Sequence, residues 1–114
     1  MKSSGCYVCS ISMLLRKIPS IVLEILNKND CFTSEGALLN DKAANVLGMI
    51  YSKVYENPNK VCIAETDSNA QYGVPQHFFV WLNNGYIVDP LDGLIKLNKY
   101  HVVSYRLWDS RKGY

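Results

Sequence analysis

Three residue types that together make an acyl-transfer site follow one another along this chain: Cys6, His77 and Asp89. A thiol attacks a carbonyl only after losing its proton, so it needs a base, and the base needs a third group to hold its tautomer. One candidate exists for each role, with Cys6 as nucleophile, His77 as base and Asp89 as orienting acid. Cys6 falls in the first turn of an apolar helix, where unpaired amides and the helix dipole favour an anion and predict a lowered thiol pKa. At about 100° per residue it lies away from the Ile11, Leu14, Leu15, Ile18 stripe that this helix turns to its core. Cys9 is off the stripe as well, so register does not choose between the two thiols. An inert, buried cysteine is the competing reading, and helix position alone does not decide against it.

Whether His77 and Asp89 meet depends on a turn. Gln76 to Leu82 reads as the strongest strand, Asn83-Asn84-Gly85 as a hairpin turn, and Tyr86 to Asp89 as the returning strand. With a three-residue loop Leu82 pairs with Tyr86 and Asp89 faces Phe79. His77 then lies diagonally across on the same face, about 7–8 Å away between backbones. A two-residue Asn84-Gly85 turn puts His77 and Asp89 on opposite faces instead. His101, in a β-branched run, reads as structural, with no carboxylate matched to it.

Other chemistries fit less well. Cys6-Tyr7-Val8-Cys9 is a C-x-x-C, but a redox motif wants a preceding strand and only five residues precede Cys6. A zinc site wants a second close pair, whereas Cys31 and Cys62 stand alone. The expectation is no metal, no cofactor and no structural disulfide. Ser10 lacks a nucleophile elbow, and there is no H-E-x-x-H, P-loop or dinucleotide glycine motif. Asp89 and Asp92 could be paired acids for glycoside cleavage, yet Asp-Pro-Leu-Asp-Gly reads first as turn chemistry.

The elements that must position these residues divide into a helical first half and a strand-rich second half, an α+β order. A helix is expected from about Cys6 to Lys17, ended by Pro19, which opens a second helix to about Asn29 with Val22, Ile25 and Leu26 on one face. Asn40 or Asp41 caps a third, carrying Ala43, Val46 and Leu47 inward and ending near Gly48. Asp30 to Leu39 is loop. After Pro58 come a short strand, Val61 to Glu65, a turn-rich loop, Asp67 to Gly73, and the hairpin. Pro90-Leu91-Asp92-Gly93 breaks its second strand, and a last strand runs from about His101 to Trp108. Residues 1–110 make one domain and 111–114 a loose tail.

Composition supports a globular domain, with 48% hydrophobic and 19% charged residues in 114, enough to form a core without staples. The net charge of +2 comes from scattered Lys and Arg and calls for no nucleic-acid partner. No apolar run approaches the roughly 20 residues of a membrane span, and no signal core precedes Cys6, which predicts cytoplasmic synthesis.

Gly5-Cys6-Tyr7-Val8-Cys9-Ser10-Ile11-Ser12-Met13 resembles the Gly-Cys-x-x-Thr-Ser-x-x-Met signature of the bacteriocin-processing-peptidase-like branch of the papain-like cysteine peptidases, which includes phage endolysin-type domains. Gly36-Ala37-Leu38-Leu39-Asn40 with Lys42-Ala43-Ala44 looks like the segment after that family's second helix. His77-Phe78-Phe79-Val80 and Gly85-Tyr86-Ile87-Val88-Asp89-Pro90 look like its histidine and acid strands. The resemblance covers Ser4 to about Gly93. It implies a papain-like fold with N-terminal helices packed on a small antiparallel sheet, and it makes Cys6 the nucleophile, with Cys9 where the family often has threonine. It further implies a peptide or peptidoglycan substrate, a phage or bacterial setting with virion proteins as partners, and a virion or cell-wall destination. Family members usually carry a glutamine upstream of the nucleophile to bind the oxyanion. Here Lys2, Ser3, Ser4 and the Cys6 amide are the donors on offer, and losing such a donor costs about 100- to 1,000-fold in rate. The expected activity is a cysteine hydrolase of an amide bond; the alternative is a non-catalytic papain-like virion or assembly component. Tyr7, Tyr72, Trp81 and Trp108 are candidates to line a substrate cleft, against the commoner use of such residues in a core.

Overall fold

The computed structural model describes residues 3–67, 77–90, 93–96 and 101–110. Three helices come first: α1 (Ser3–Leu15), α2 (Pro19–Lys28) and α3 (Asn40–Leu47). The strands follow: β1 (Met49–Val54), β2 (Cys62–Thr66), β3 (His77–Trp81), β4 (Tyr86–Asp89), β5 (Gly93–Lys96) and β6 (Val102–Ser110). All pairings are antiparallel, in one six-stranded sheet of order β1-β6-β2-β3-β4-β5. The α+β order and the antiparallel sheet agree with the expectation from sequence.

The helices end where their residues require it. Pro19 sits in the first turn of α2, where a missing amide costs nothing, and Gly48 closes α3 in the left-handed region at φ 72°. Two expectations need correction. Helix α1 begins at Ser3, three residues before Cys6. Neither Asn40 nor Asp41 caps α3: Leu39 is its N-cap and makes no side-chain cap hydrogen bond. Asn40 instead takes a hydrogen bond from the Tyr7 hydroxyl at 2.5 Å, which ties α3 to α1.

Two strands went unread in the sequence. Strand β1 pairs with β6 across half the chain, from Met49 with Ser110 to Val54 with Tyr105. Strand β5 follows the Pro90 turn at once, as Gly93, at φ 74°, pairs back with Asp89. Asp67 to Gly73 and the tail lie largely or wholly outside the described residues.

The sheet has an apolar cluster on each face, because its central strands are buried on both sides. On the helical face Tyr7, Val8, Ile11, Val22, Leu26, Ala43, Ala44, Met49, Ile63 and Trp108 form one core, with Phe78 packed against it. Leu14 and Leu15 join from α1, whereas Ile18 lies past the helix end and is 61% exposed. On the other face Cys62, Ala64, Phe79, Ile87 and Tyr105 form a second cluster. Fully burying each aliphatic or Phe side chain stabilises the fold by about 1.5–3 kcal/mol, so both layers hold the hairpin that carries His77 and Asp89.

Candidate active site

The β3–β4 hairpin uses the three-residue loop. Trp81 pairs with Ile87 and Val80 with Val88, and the Leu82 amide donates to the Tyr86 carbonyl at 3.3 Å. Asn83 at φ 63° and Gly85 at φ 85° supply the left-handed residues such a loop needs. In this register His77 and Asp89 share a face, and they meet: His77 Nε2 lies 2.7 Å from Asp89 Oδ2. The contact is dry, with side-chain exposures of 8% and 1%. Phe79, at 6.0 Å between ring centroids, packs its ring edge-to-face with the imidazole.

His77 is held from its backbone too. Its amide donates to Thr66 Oγ1 at 3.1 Å, and that hydroxyl donates to the His77 carbonyl at 3.3 Å. Thr66 is fully buried, and the pairing of β2 with β6 shifts register between Glu65 and Thr66. Such irregularities commonly re-aim side chains at functional sites.

Cys6 approaches from α1. The Tyr7 ring stacks on Phe78 at 4.4 Å, and Ser10 Oγ donates to the Phe78 carbonyl at 3.3 Å. The first turns of α1 therefore rest on the start of β3, beside His77. Strand alternation turns His77 to the face away from Phe78, so any approach of the thiol to the imidazole runs past the first residue of β3 rather than across the sheet. Cys6 and Cys9 are both half-buried, as their place off the apolar stripe implies.

The electrostatics of the thiol differ from expectation. Burial, the charge of Asp89 and the neighbouring Cys9 push the Cys6 pKa up, and its backbone amide and the chain's amino terminus only partly offset them. The helix end does not lower the thiol pKa here, because partial desolvation and the charge of Asp89 outweigh it. The influence of Asp89 on Cys6 does mark the two as electrostatic neighbours.

Other candidates fall elsewhere. Tyr7 is buried at 4% exposure in the core, with its hydroxyl pKa raised mainly by burial, so it lines no cleft. Trp108 is buried beside it, and Trp81 packs edge-to-face on Tyr105 within the second cluster. Tyr72 and Lys2 lie outside the described residues, as do the side chains of Ser3 and Ser4. His101 has a carboxylate after all, Asp67 Oδ2 at 3.3 Å, but side-chain exposures of 75% and 50% make it a surface pair of little energetic weight.

All four cysteines are free. Cys31 is buried in the helical-side core and Cys62 in the cluster beyond the sheet, so the sheet separates them. Among the described residues no three His, Cys, Asp or Glu side chains gather as metal ligands, and no single helix is long and apolar enough to cross a membrane. What reading along the chain missed is a buried ion pair on the helical face, Arg106 with Glu65 at 2.8 Å. Its only sequence signal is a charged residue at an inward position of each of two alternating strands. Compared with protein-family models, with curated proteins and with solved structures, the chain matches none.

Proposed function

We propose that this chain is a small papain-like thiol hydrolase that cleaves an amide bond, with Cys6 as nucleophile, His77 as base and Asp89 as the acid that holds it. The observation that carries this reading is the buried 2.7 Å contact of His77 with Asp89 at the start of β3, where α1 rests through Tyr7 on Phe78. With Nε2 engaged by Asp89, Nδ1 is the nitrogen that takes the thiol proton. The sulfur attacks the carbonyl as that proton leaves, and the imidazolium, stabilised by Asp89, then protonates the leaving amine. Water attacks the resulting thioester, with His77 again as base, and releases the acid. The Cys6 amide and Ser4 are the candidate donors to the oxyanion. Substrates that fit are a peptide or the peptide cross-links of peptidoglycan, in a phage or bacterial setting.

A second reading, a non-catalytic papain-like domain serving as a virion or assembly component, draws on the raised Cys6 pKa. A resting thiol above its ordinary range is a poor nucleophile unless a base relieves it. The two readings separate by iodoacetamide labelling of Cys6 at pH 7, followed by mass spectrometry. In the hydrolase, wild type labels at least tenfold faster than His77→Ala. Equal rates in two folded proteins favour the scaffold.

A further inference from the structure

The buried charge on the helical face of the sheet has no role in the chemistry above. Arg106, on β6, sits at 8% exposure beneath α1. Its guanidinium is tied down from three sides: Nη2 donates to Glu65 Oε1 at 2.8 Å, Nη1 to the Tyr51 hydroxyl at 3.0 Å, and Nε to Ser104 Oγ at 3.3 Å. Ser104 Oγ in turn donates to Glu65 Oε1 at 2.6 Å. A charge this deep is costly unless it is satisfied, and replacing such a pair by apolar residues is often neutral or stabilising. Stability alone is therefore a weak account of it.

Its position suggests another. The guanidinium carbon lies 5.8 Å from the Tyr7 ring centroid and 5.5 Å from that of Phe78. Those two rings stack on each other at 4.4 Å, an interplanar angle of 21°. Tyr7 immediately follows Cys6, and Phe78 immediately follows His77. The stack is thus the direct mechanical link between the residue beside the thiol and the residue beside the base, and one anchored cation lies against both of its members. Asn40 holds the far end of Tyr7 by its hydroxyl.

We propose that Arg106 is a positioning residue for the candidate active site: held by Glu65, Tyr51 and Ser104, it sets the Tyr7–Phe78 stack and thereby the reach of Cys6 to His77. The inference rests on Cys6 and His77 being nucleophile and base. Burial of the guanidinium works against its charge, but the hydrogen bond with Glu65 and the neighbouring tyrosines outweigh it and keep Arg106 ionised. Lysine in its place cannot serve here, since an ammonium lacks the planar fork that reaches three acceptors while lying against two rings.

The test measures the pH profile of Cys6 alkylation by iodoacetamide in wild type, Arg106→Lys, Phe78→Leu and His77→Ala. Only samples that keep the wild-type near-UV circular dichroism are compared. Phe78→Leu removes the ring under the cation while keeping apolar bulk, and stands in if Arg106→Lys does not fold. Positioning predicts that Arg106→Lys and Phe78→Leu label at least tenfold more slowly than wild type at pH 7, with the inflection moved toward that of His77→Ala. A merely structural Arg106 lowers the melting temperature and leaves the profile of the folded protein where it was; that result overturns the proposal. If His77→Ala itself leaves the profile unmoved, the catalytic reading fails and the positioning role with it. If His77→Ala moves the profile and neither of the other variants does, the catalytic reading stands and only the role of Arg106 is lost.

Discussion

Replacing Asp89 by asparagine tests the geometry at the heart of the site without emptying it. The side chain keeps its shape, and its amide can still form a neutral hydrogen bond with His77 Nε2 across the 2.7 Å contact. What changes is the charge. A hydrogen bond to an ionised acceptor contributes about 1.5–3 kcal/mol net, roughly twice a neutral one, so Asp89→Asn should lose about 1–1.5 kcal/mol. For a domain of 114 residues that lowers the melting temperature by about 3–8 °C. Asp89→Ala removes the acceptor altogether and should cost about twice as much, because the buried imidazole then loses this partner. The thiol responds in the opposite sense. Asp89 is the second-largest cause of the raised Cys6 pKa after burial, so either variant should bring the Cys6 titration back toward its ordinary range. Turnover should nonetheless fall by about 10⁴-fold in Asp89→Asn, as in other triads whose orienting acid is neutralised, because the imidazole adopts the wrong tautomer. Differential scanning calorimetry and the pH profile of alkylation supply the two readouts. Melting temperatures within about 1 °C of wild type for both variants, with an unmoved Cys6 inflection, would refute the buried contact and the reasoning built on it.

Two further outcomes follow from the thiols. Burial pushes Cys62 from its ordinary value of 9.0 up to about 11, and a raised thiol pKa means the folded state holds its proton longer than the unfolded chain. The associated stability is present below pH 9 and lost as pH rises to about 11, at roughly 1.4 kcal/mol per unit. Urea unfolding at pH 8.5 and pH 11 should therefore show a fall of about 2–3 kcal/mol or more, smaller in Cys62→Ala; stability that rises over this range contradicts the assignment. Cys6 and Cys9 stand three residues apart on α1, about 5 Å between Cα atoms by helix geometry and within disulfide range. Peroxide treatment should take two hydrogens from the pair, seen as a 2 Da mass loss in the peptide containing both, and remove activity that dithiothreitol restores; an oxidised form that keeps its activity argues that neither thiol is the nucleophile.

The hairpin shows how much of this site could be read along the chain. Its loop residues, Asn83-Asn84-Gly85, mark the turn locally but allow a two-residue or a three-residue loop, so the register that joins His77 to Asp89 is fixed only once the strands pair. The three helices were legible from local signals: Pro19 and Gly48 mark their ends and apolar spacing marks their faces. Strand β1 was not, because its partner β6 lies some fifty residues on and six residues with a mixed burial pattern give no clear alternation. Strand β5 is four residues long and hides behind the Pro90 turn. The Arg106–Glu65 pair left only a faint signal, since two charges on separate strands look like surface until the register faces them inward. The Cys6 pKa went the wrong way because a helix end can be counted from sequence, while desolvation and the approach of Asp89 depend on the tertiary arrangement.

The most direct measurement is a comparison of the two cysteines. Purified peptidoglycan and a peptide library are incubated with wild type, Cys6→Ala and Cys9→Ser, each shown to be folded, and the products are read by mass spectrometry. Wild type and Cys9→Ser should give new amine and carboxyl termini, and Cys6→Ala none. Cleavage that survives in Cys6→Ala, or that disappears in Cys9→Ser alone, contradicts the assignment of Cys6 as the nucleophile.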